Sequence, residues 1–392
     1  MDHNDMFSHT LNLLNNNTHI IEIISIVIVV SIILCIFIYV AIKQTAKSGN
    51  CVKISEANPV PNTLSPLTSQ TLTSQQFNNY YIQTAYNCCC SGDFKDDWVN
   101  TCALSNAISQ GCRCLDFEIY SMNNKPIVAC SSVNNFYIKE SYNYIPFSQV
   151  ATIINEEAFN SDYCTNYTDP LILHFRFKTN NPIIYDQMAT IFSTKITNAT
   201  FLEDKYNCDG SGNVTANILT EKMDSSSCGS GGIFNNTIII FVDGANTTWT
   251  STNLKEYVNV STQGCTNGAN SIEYREFDIG ICGSPCEPEE KVKNGYEVFV
   301  WPNLQAKAEN PPYTLAYSYG CQIVGMCFQV ADGYLKDYIN FFSGKGSAFV
   351  LKEDVSISVT PDASGIDVGK SLVGKSTPMV TPFGTYQTYS TS

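Results

Sequence analysis

From Ile23 to Ile42 the chain reads IISIVIVVSIILCIFIYVAI, an apolar run without a charge. About 20 such residues cross a bilayer as a helix, so the run predicts a transmembrane span. The short polar stretch 1–22 before it carries Asp2, Asp5 and Glu22, and no A-x-A-like site follows, which argues against a cleaved signal peptide. Residues 43–75 are rich in Pro, Ser, Thr and Gln with little apolar periodicity, the pattern of a flexible stalk. A similar composition returns at the end, where 357–392 is expected to be disordered.

Between them, over 76–356, short β-branched or aromatic runs alternate with longer mixed segments, the pattern of repeated βα units around a parallel sheet. The predicted strands are Tyr80–Ala85, Cys114–Ile119, Pro126–Cys130, Leu171–Phe177, Thr237–Val242, Ile272–Phe277, Tyr296–Trp301 and Gln322–Phe328. Eight is the number a closed βα barrel needs, which makes the expected class α/β. Trp98–Gln110 and Ile183–Phe192 space their apolar residues as helices that cover a sheet.

Composition narrows the functions. A chain of 392 residues, 44% hydrophobic, has room for one large domain once the span is subtracted. The formal charge of −14 excludes nucleic acid as a partner, because neutralising phosphates takes clustered Lys and Arg. It also disfavours broad adhesion to anionic lipid. Asn is abundant, and Arg occurs only at Arg113, Arg176 and Arg275, a bias that fits an AT-rich genome such as that of a large DNA virus or of certain protists.

Two signals bear on the side of the membrane. Lys43, Lys47 and Lys53 follow the apolar run while no Lys or Arg precedes it, so the positive-inside rule places the large domain on the cytosolic side. Against this, 16 of the 17 cysteines lie outside the run, and Asn166, Asn198, Asn213, Asn235, Asn246 and Asn259 begin glycosylation sequons, both of which suit an oxidising lumen. In a chain so rich in Asn, Ser and Thr, sequons also arise by chance. Cys88, Cys89 and Cys90 follow the first strand and could face Cys130 across a barrel mouth as thiols, disulfides or a thiolate metal site. Cys282 and Cys286 flank GSP as a stapled loop would.

The stretches YYIQTAYN (Tyr80–Asn87), SGDF, ALSNAISQGCRCLDFEIY (Ala103–Tyr120), PIVAC (Pro126–Cys130) and DPLILHFRF (Asp169–Phe177) come first, then YGCQIVGMCFQVADGYLKDY and GKGSAFVLK. In this order they resemble the phosphatidylinositol-specific phospholipase C family, over most of Tyr80–Lys352. The resemblance implies a distorted TIM (βα)8 barrel with its site at the C-terminal ends of the strands. It also implies two imidazoles, one taking a proton from the inositol hydroxyl and one protonating the leaving oxygen. Here those positions are Tyr86 and Cys130. His174, the one histidine beyond the apolar run, is expected to be a hydrogen-bonded interior residue.

The resemblance also implies calcium, which eukaryotic members of the family hold through oxygen ligands. Asn87, Asp116 and Glu118 match ligand positions, while Arg176 stands where a further carboxylate would be. A guanidinium there would supply the cation's charge in covalent form, so Arg176 and calcium should exclude each other. Asp243 and Ala245 stand at lysine positions of the family, and an arginine expected near Asn340 is missing. These substitutions predict a membrane-anchored, catalytically silent barrel with a binding or structural role, in the reading of a virion membrane protein of a large DNA virus. Its partners would be the lipid bilayer through the helix and other membrane or capsid proteins, and no cofactor is expected. The competing reading is a phosphoric diester hydrolase acting on inositol phospholipids with non-standard residues, and calcium enters only there.

Overall fold

The computed structural model describes residues 3–57, 63–67, 75–208, 215–282 and 286–355, with short strands at 357–358, 376–381 and 384–389. The chain divides into two compact units, Met1–Gly49 and Asn50–Ser392. The first belongs to a helix, His3–Ala57, longer at both ends than the apolar run inside it. Its section from Glu22 is long and apolar enough to cross a membrane, and the large side chains from Ile23 to Ile42 are exposed rather than packed on protein.

The second unit is built on eight parallel strands: β1 Tyr80–Ala85, β2 Cys114–Met122, β3 Leu171–Phe177, β4 Thr237–Val242, β5 Val258–Ser261, β6 Ser271–Arg275, β7 Glu297–Trp301 and β8 Ile323–Met326. They lie side by side in chain order, and β8 pairs with β1. Between β5 and β6 the ladder thins to a single parallel bridge, Ser261 to Asn270, which leaves a seam in the barrel. The β-branched runs TIIIFV and LILHFRF are buried along their whole length, as strands covered on both faces must be. The covering helices start on side-chain caps. Asn100 caps Thr101–Ser109, Asn181 with a proline in the first turn caps Pro182–Lys195, and Asp332 caps Gly333–Lys345.

One expected strand changes role, and a strand that was not expected takes its place in the barrel. Pro126–Cys130 is not a barrel strand. It forms Lys125–Ala129, which folds back antiparallel on β2 through Asn123 and Asn124, both at positive φ. Two consecutive asparagines in that conformation make the tight turn of a hairpin. The fifth barrel strand is instead Val258–Ser261, where Asn259 interrupts the apolar pattern and its side chain replaces a ladder bond by accepting from the Ile240 backbone N–H at 2.9 Å.

The flexible stalk expected over 43–75 also gives way. Helix continues to Ala57, a disulfide joins Cys51 to Cys102, and Leu64 and Leu67 are buried in the barrel core. The Leu67 backbone N–H donates to the buried carboxylate of Asp169 at 2.6 Å. Two leucines and a cysteine in an otherwise polar stretch are enough to fasten it. In the tail expected to be disordered, Ser376–Thr381 and Gly384–Tyr389 pair antiparallel, and the remainder of 359–392 lies outside the described residues.

Candidate functional site

Strands β2 and β3 run parallel in a register that sets Asp116 beside His174 and Glu118 beside Arg176. Alternation along a strand sends these four side chains to one face, the barrel interior. Asn87 follows β1 in a left-handed turn, φ 43°, which aims its backbone N–H at Asp116 Oδ2, 3.0 Å away. Asn tolerates this conformation better than most residues.

The Arg176 guanidinium sits at the centre of these groups. Its Nε donates to Asp116 Oδ1 at 3.0 Å, its Nη2 to Asp116 Oδ2 and to Asn87 Oδ1, both at 2.8 Å, and its Nη1 to Glu118 Oε1 at 2.7 Å. The remaining oxygen of Glu118 accepts from the Tyr120 hydroxyl at 2.8 Å. The Tyr86 ring lies over the guanidinium, 4.5 Å from its carbon, in cation–π contact. Arg275 Nη1 donates to the Tyr86 hydroxyl at 3.1 Å.

Below this layer His174 is held between two acids. Its Nδ1 is 2.8 Å from Asp116 Oδ1 and its Nε2 makes an ion-pair contact with Glu273 Oε1 at 3.2 Å. Trp301 Nε1 donates to the other oxygen of Glu273 at 2.9 Å, and the Phe299 and Trp301 rings pack on the imidazole. Asp116, Glu118 and His174 are fully buried, Arg176 and Cys130 are 1% exposed and Tyr86 2%. These six side chains are closed off from water, while Glu273 at the edge of the centre keeps a side chain 20% exposed.

Burial sets each group's ionisation first and its neighbours then decide the sign. Burial would raise the Asp116 carboxyl, but the Arg176 charge and the His174 contact outweigh it and hold Asp116 well below the usual carboxylate range. Burial opposes charge on His174, yet the carboxylates of Asp116 and Glu273 push it up to about 9, so it is an imidazolium at neutral pH. Burial raises the Tyr86 hydroxyl, with Arg176 and Arg275 offsetting only part. The Cys130 thiol is pushed well up by burial and by its hydrogen bond with Cys90. Asp243 accepts from the Phe177 backbone N–H at 3.1 Å, and burial with the nearby Glu273 charge pushes it up to about 7.

The site residues read from the sequence are therefore brought together: Asn87, Asp116, Glu118 and Arg176 in one network, His174 bonded to it, Tyr86 stacked on it. Cys90 meets Cys130, but no group of three or more His, Cys, Asp or Glu suited to a metal occurs among the described residues. Cys282 and Cys286 form the expected staple. Ala245 and Asn340 are exposed, the latter on the helix after β8, and neither joins the centre. Glu273, Arg275, Trp301 and Tyr120 were not foreseen. The available signal was the pair of charges two residues apart in IEYREF, which a barrel strand's alternation sends to the same face as the core.

A calcium ion takes six or more oxygen ligands. Here each side-chain oxygen of Asp116, Glu118 and Asn87 already accepts from a donor of this chain, and a fixed guanidinium stands among them. The residues present do not fit the ion.

Residues 73–223 match the family model described as phosphatidylinositol-specific phospholipase C, X domain. Among solved structures, PLC21 of L. pealei superposes with a TM-score of 0.53 at 15% identity, over 74% of this chain and 39% of that one. PLC21 of S. officinalis gives 0.53 at 14% identity, over 74% and 38%. This chain thus spans about two fifths of the length of those proteins, and the likeness establishes the fold. No curated protein matches the chain. Residues 73–223 thus match the X domain of the phosphatidylinositol-specific phospholipase C family, and the barrel has a phospholipase C-like fold.

Proposed function

We propose that this chain is a membrane-anchored phospholipase C-like barrel that has given up phosphodiester cleavage and works by binding or as structure at a membrane. The observation that carries the reading is the Arg176 fork. It occupies the acids that would hold a metal and makes four charge-assisted or polar hydrogen bonds without leaving an oxygen of Asp116 free. The two proton-transfer positions support the same reading. Tyr86 is stacked on that guanidinium and Cys130 is a buried thiol, and burial raises both above the range in which a group exchanges protons at neutral pH. Asp243, at a position where the resemblance implies a lysine, would meet a phosphodiester with like charge or with none.

The helix from Glu22 supplies the anchor, and the lysines that follow the apolar run support a cytosolic barrel. The Asn-rich, Arg-poor composition supports placing the protein in the membrane of a large DNA virus, among other membrane or capsid proteins.

The test is turnover. The purified full-length chain in mixed micelles of detergent and phosphatidylinositol, with calcium, should release no inositol phosphate above the protein-free control. Turnover that is lost in Tyr86→Phe or Cys130→Ala would overturn the proposal and establish a hydrolase with unconventional residues.

A further inference from the structure

Six sequons in the barrel domain invite a lumenal assignment, and the fold separates them. Asn213 lies outside the described residues, Asn198 is exposed and Asn235 half-buried. The other three are interior: Asn166 is 0% exposed, Asn259 2% and Asn246 6%. Their amide nitrogens, the atoms that would carry a glycan, are already donors. Asn166 Nδ2 donates to the Gly111 carbonyl at 3.1 Å and Asn259 Nδ2 to the Tyr206 carbonyl at 3.4 Å. Asn246 Nδ2 donates to the Thr179 carbonyl and, at 2.6 Å, to the Tyr185 hydroxyl. Asn166 Oδ1 also accepts from Cys164 at 3.0 Å, and Asn259 Oδ1 from the Ile240 backbone.

A glycan replaces an amide hydrogen with a bulky hydrophilic group that has to reach solvent. None of these three amides can carry one inside this fold. Nor could folding protect them in time. The sugar is transferred to a nascent chain, and the barrel closes only when β8, near residue 323, pairs with β1. Asn166 would pass the transferase with more than half of the strands still to come.

We infer that the barrel matures on the side of the membrane where N-glycosylation does not occur. The inference deepens the topology of the proposed function and is independent of the chemistry at Arg176. The disulfides Cys51–Cys102, Cys208–Cys265 and Cys282–Cys286 are then made on that same side. Each needs a disulfide donor: one thiolate attacks the donor's sulfur, the second displaces it, two protons leave and the donor departs as a dithiol. The class of reaction that must act on this protein is thus thiol–disulfide exchange facing the cytosol.

The experiment is site mapping of the full-length chain expressed in eukaryotic cells, alongside the same barrel directed into the lumen by a cleavable signal. In its own topology the chain should carry no glycan at Asn166, Asn198, Asn235, Asn246 or Asn259. Sent to the lumen, it should be glycosylated at the interior sites and lose protease resistance. Thr168→Val, Thr248→Val and Ser261→Ala together remove those acceptors without touching the asparagines, and should restore much of that resistance. A glycan on any of the five sites in the natural topology overturns the inference. So does a lumenal wild-type barrel that folds normally, with or without glycans at the interior sites.

Discussion

Replacing Arg176 with alanine removes the one cation that touches both Asp116 and Glu118, and leaves two carboxylates without solvent in the same chamber. Breaking a buried pair by deleting one partner costs about 3–5 kcal/mol, because the remaining charge stays desolvated. The loss of the contact with the Tyr86 ring adds to this. At roughly 2 °C per kcal/mol for a domain of this size, the melting temperature should fall by about 6–10 °C at pH 7. The penalty should also depend on pH. In the variant the Asp116–Glu118 pair keeps only the His174 imidazolium, on Asp116, as its cation, so the pair takes up a proton in the folded state that the unfolded chain does not bind, and stability rises as pH falls from 7 towards 4. Wild-type Asp116, held low by Arg176, stays ionised through that window and its contribution does not change there. The gap between the two proteins should therefore narrow on acidification. Arg176→Lys keeps a charge but loses the fork, and should fall between them. Thermal unfolding of the three proteins at pH 7, 5.5 and 4.5 reads all of this. A gap of under about 2 °C at pH 7, or one that stays constant with pH, would refute the reasoning.

Three further outcomes follow from the same geometry. His174, raised from its ordinary value of 6.5 to about 9, contributes stability that is complete below about pH 6.5 and is lost as pH rises through 9. That alkaline loss should be of order 3 kcal/mol and absent in His174→Gln, as denaturant unfolding at pH 6.5 and 9.5 would show. A domain beginning at Asn50 should be several kcal/mol more stable than one beginning at Gln76, since the shorter one lacks Leu64, Leu67 and the Cys51–Cys102 bond; equal urea midpoints would contradict this. The native Cys130 thiol, buried and raised, should resist iodoacetamide at neutral pH and react only on unfolding, by mass mapping of the alkylated peptide.

Much of the barrel was legible because parallel strands covered on both faces are continuous apolar runs. LILHFRF and TIIIFV declare themselves and match the observed ends. Direction is less visible. KPIVA has the composition of a barrel strand, and only the Asn123–Asn124 turn before it shows that the chain reverses. The strand VNVS escaped because it is four residues long and half polar, its asparagine serving as a ladder partner. Of the centre, Asn87, Asp116, Glu118 and Arg176 were legible through matched positions and the period of two along strands. Glu273 was not. Its role exists only because β6 comes round the barrel to face β3, a closure that no local pattern encodes.

The central claim is that a side chain has taken the place of the metal, and melting curves with and without calcium test it most directly. Wild type should melt at the same temperature in millimolar calcium and in chelator. Arg176→Glu, which removes the guanidinium and adds a carboxylate beside Asp116 and Glu118, should be destabilised in chelator and regain stability with calcium, by about 2.7 kcal/mol at a hundredfold excess over its Kd. A wild-type domain stabilised by calcium, or an Arg176→Glu variant indifferent to it, would contradict the account.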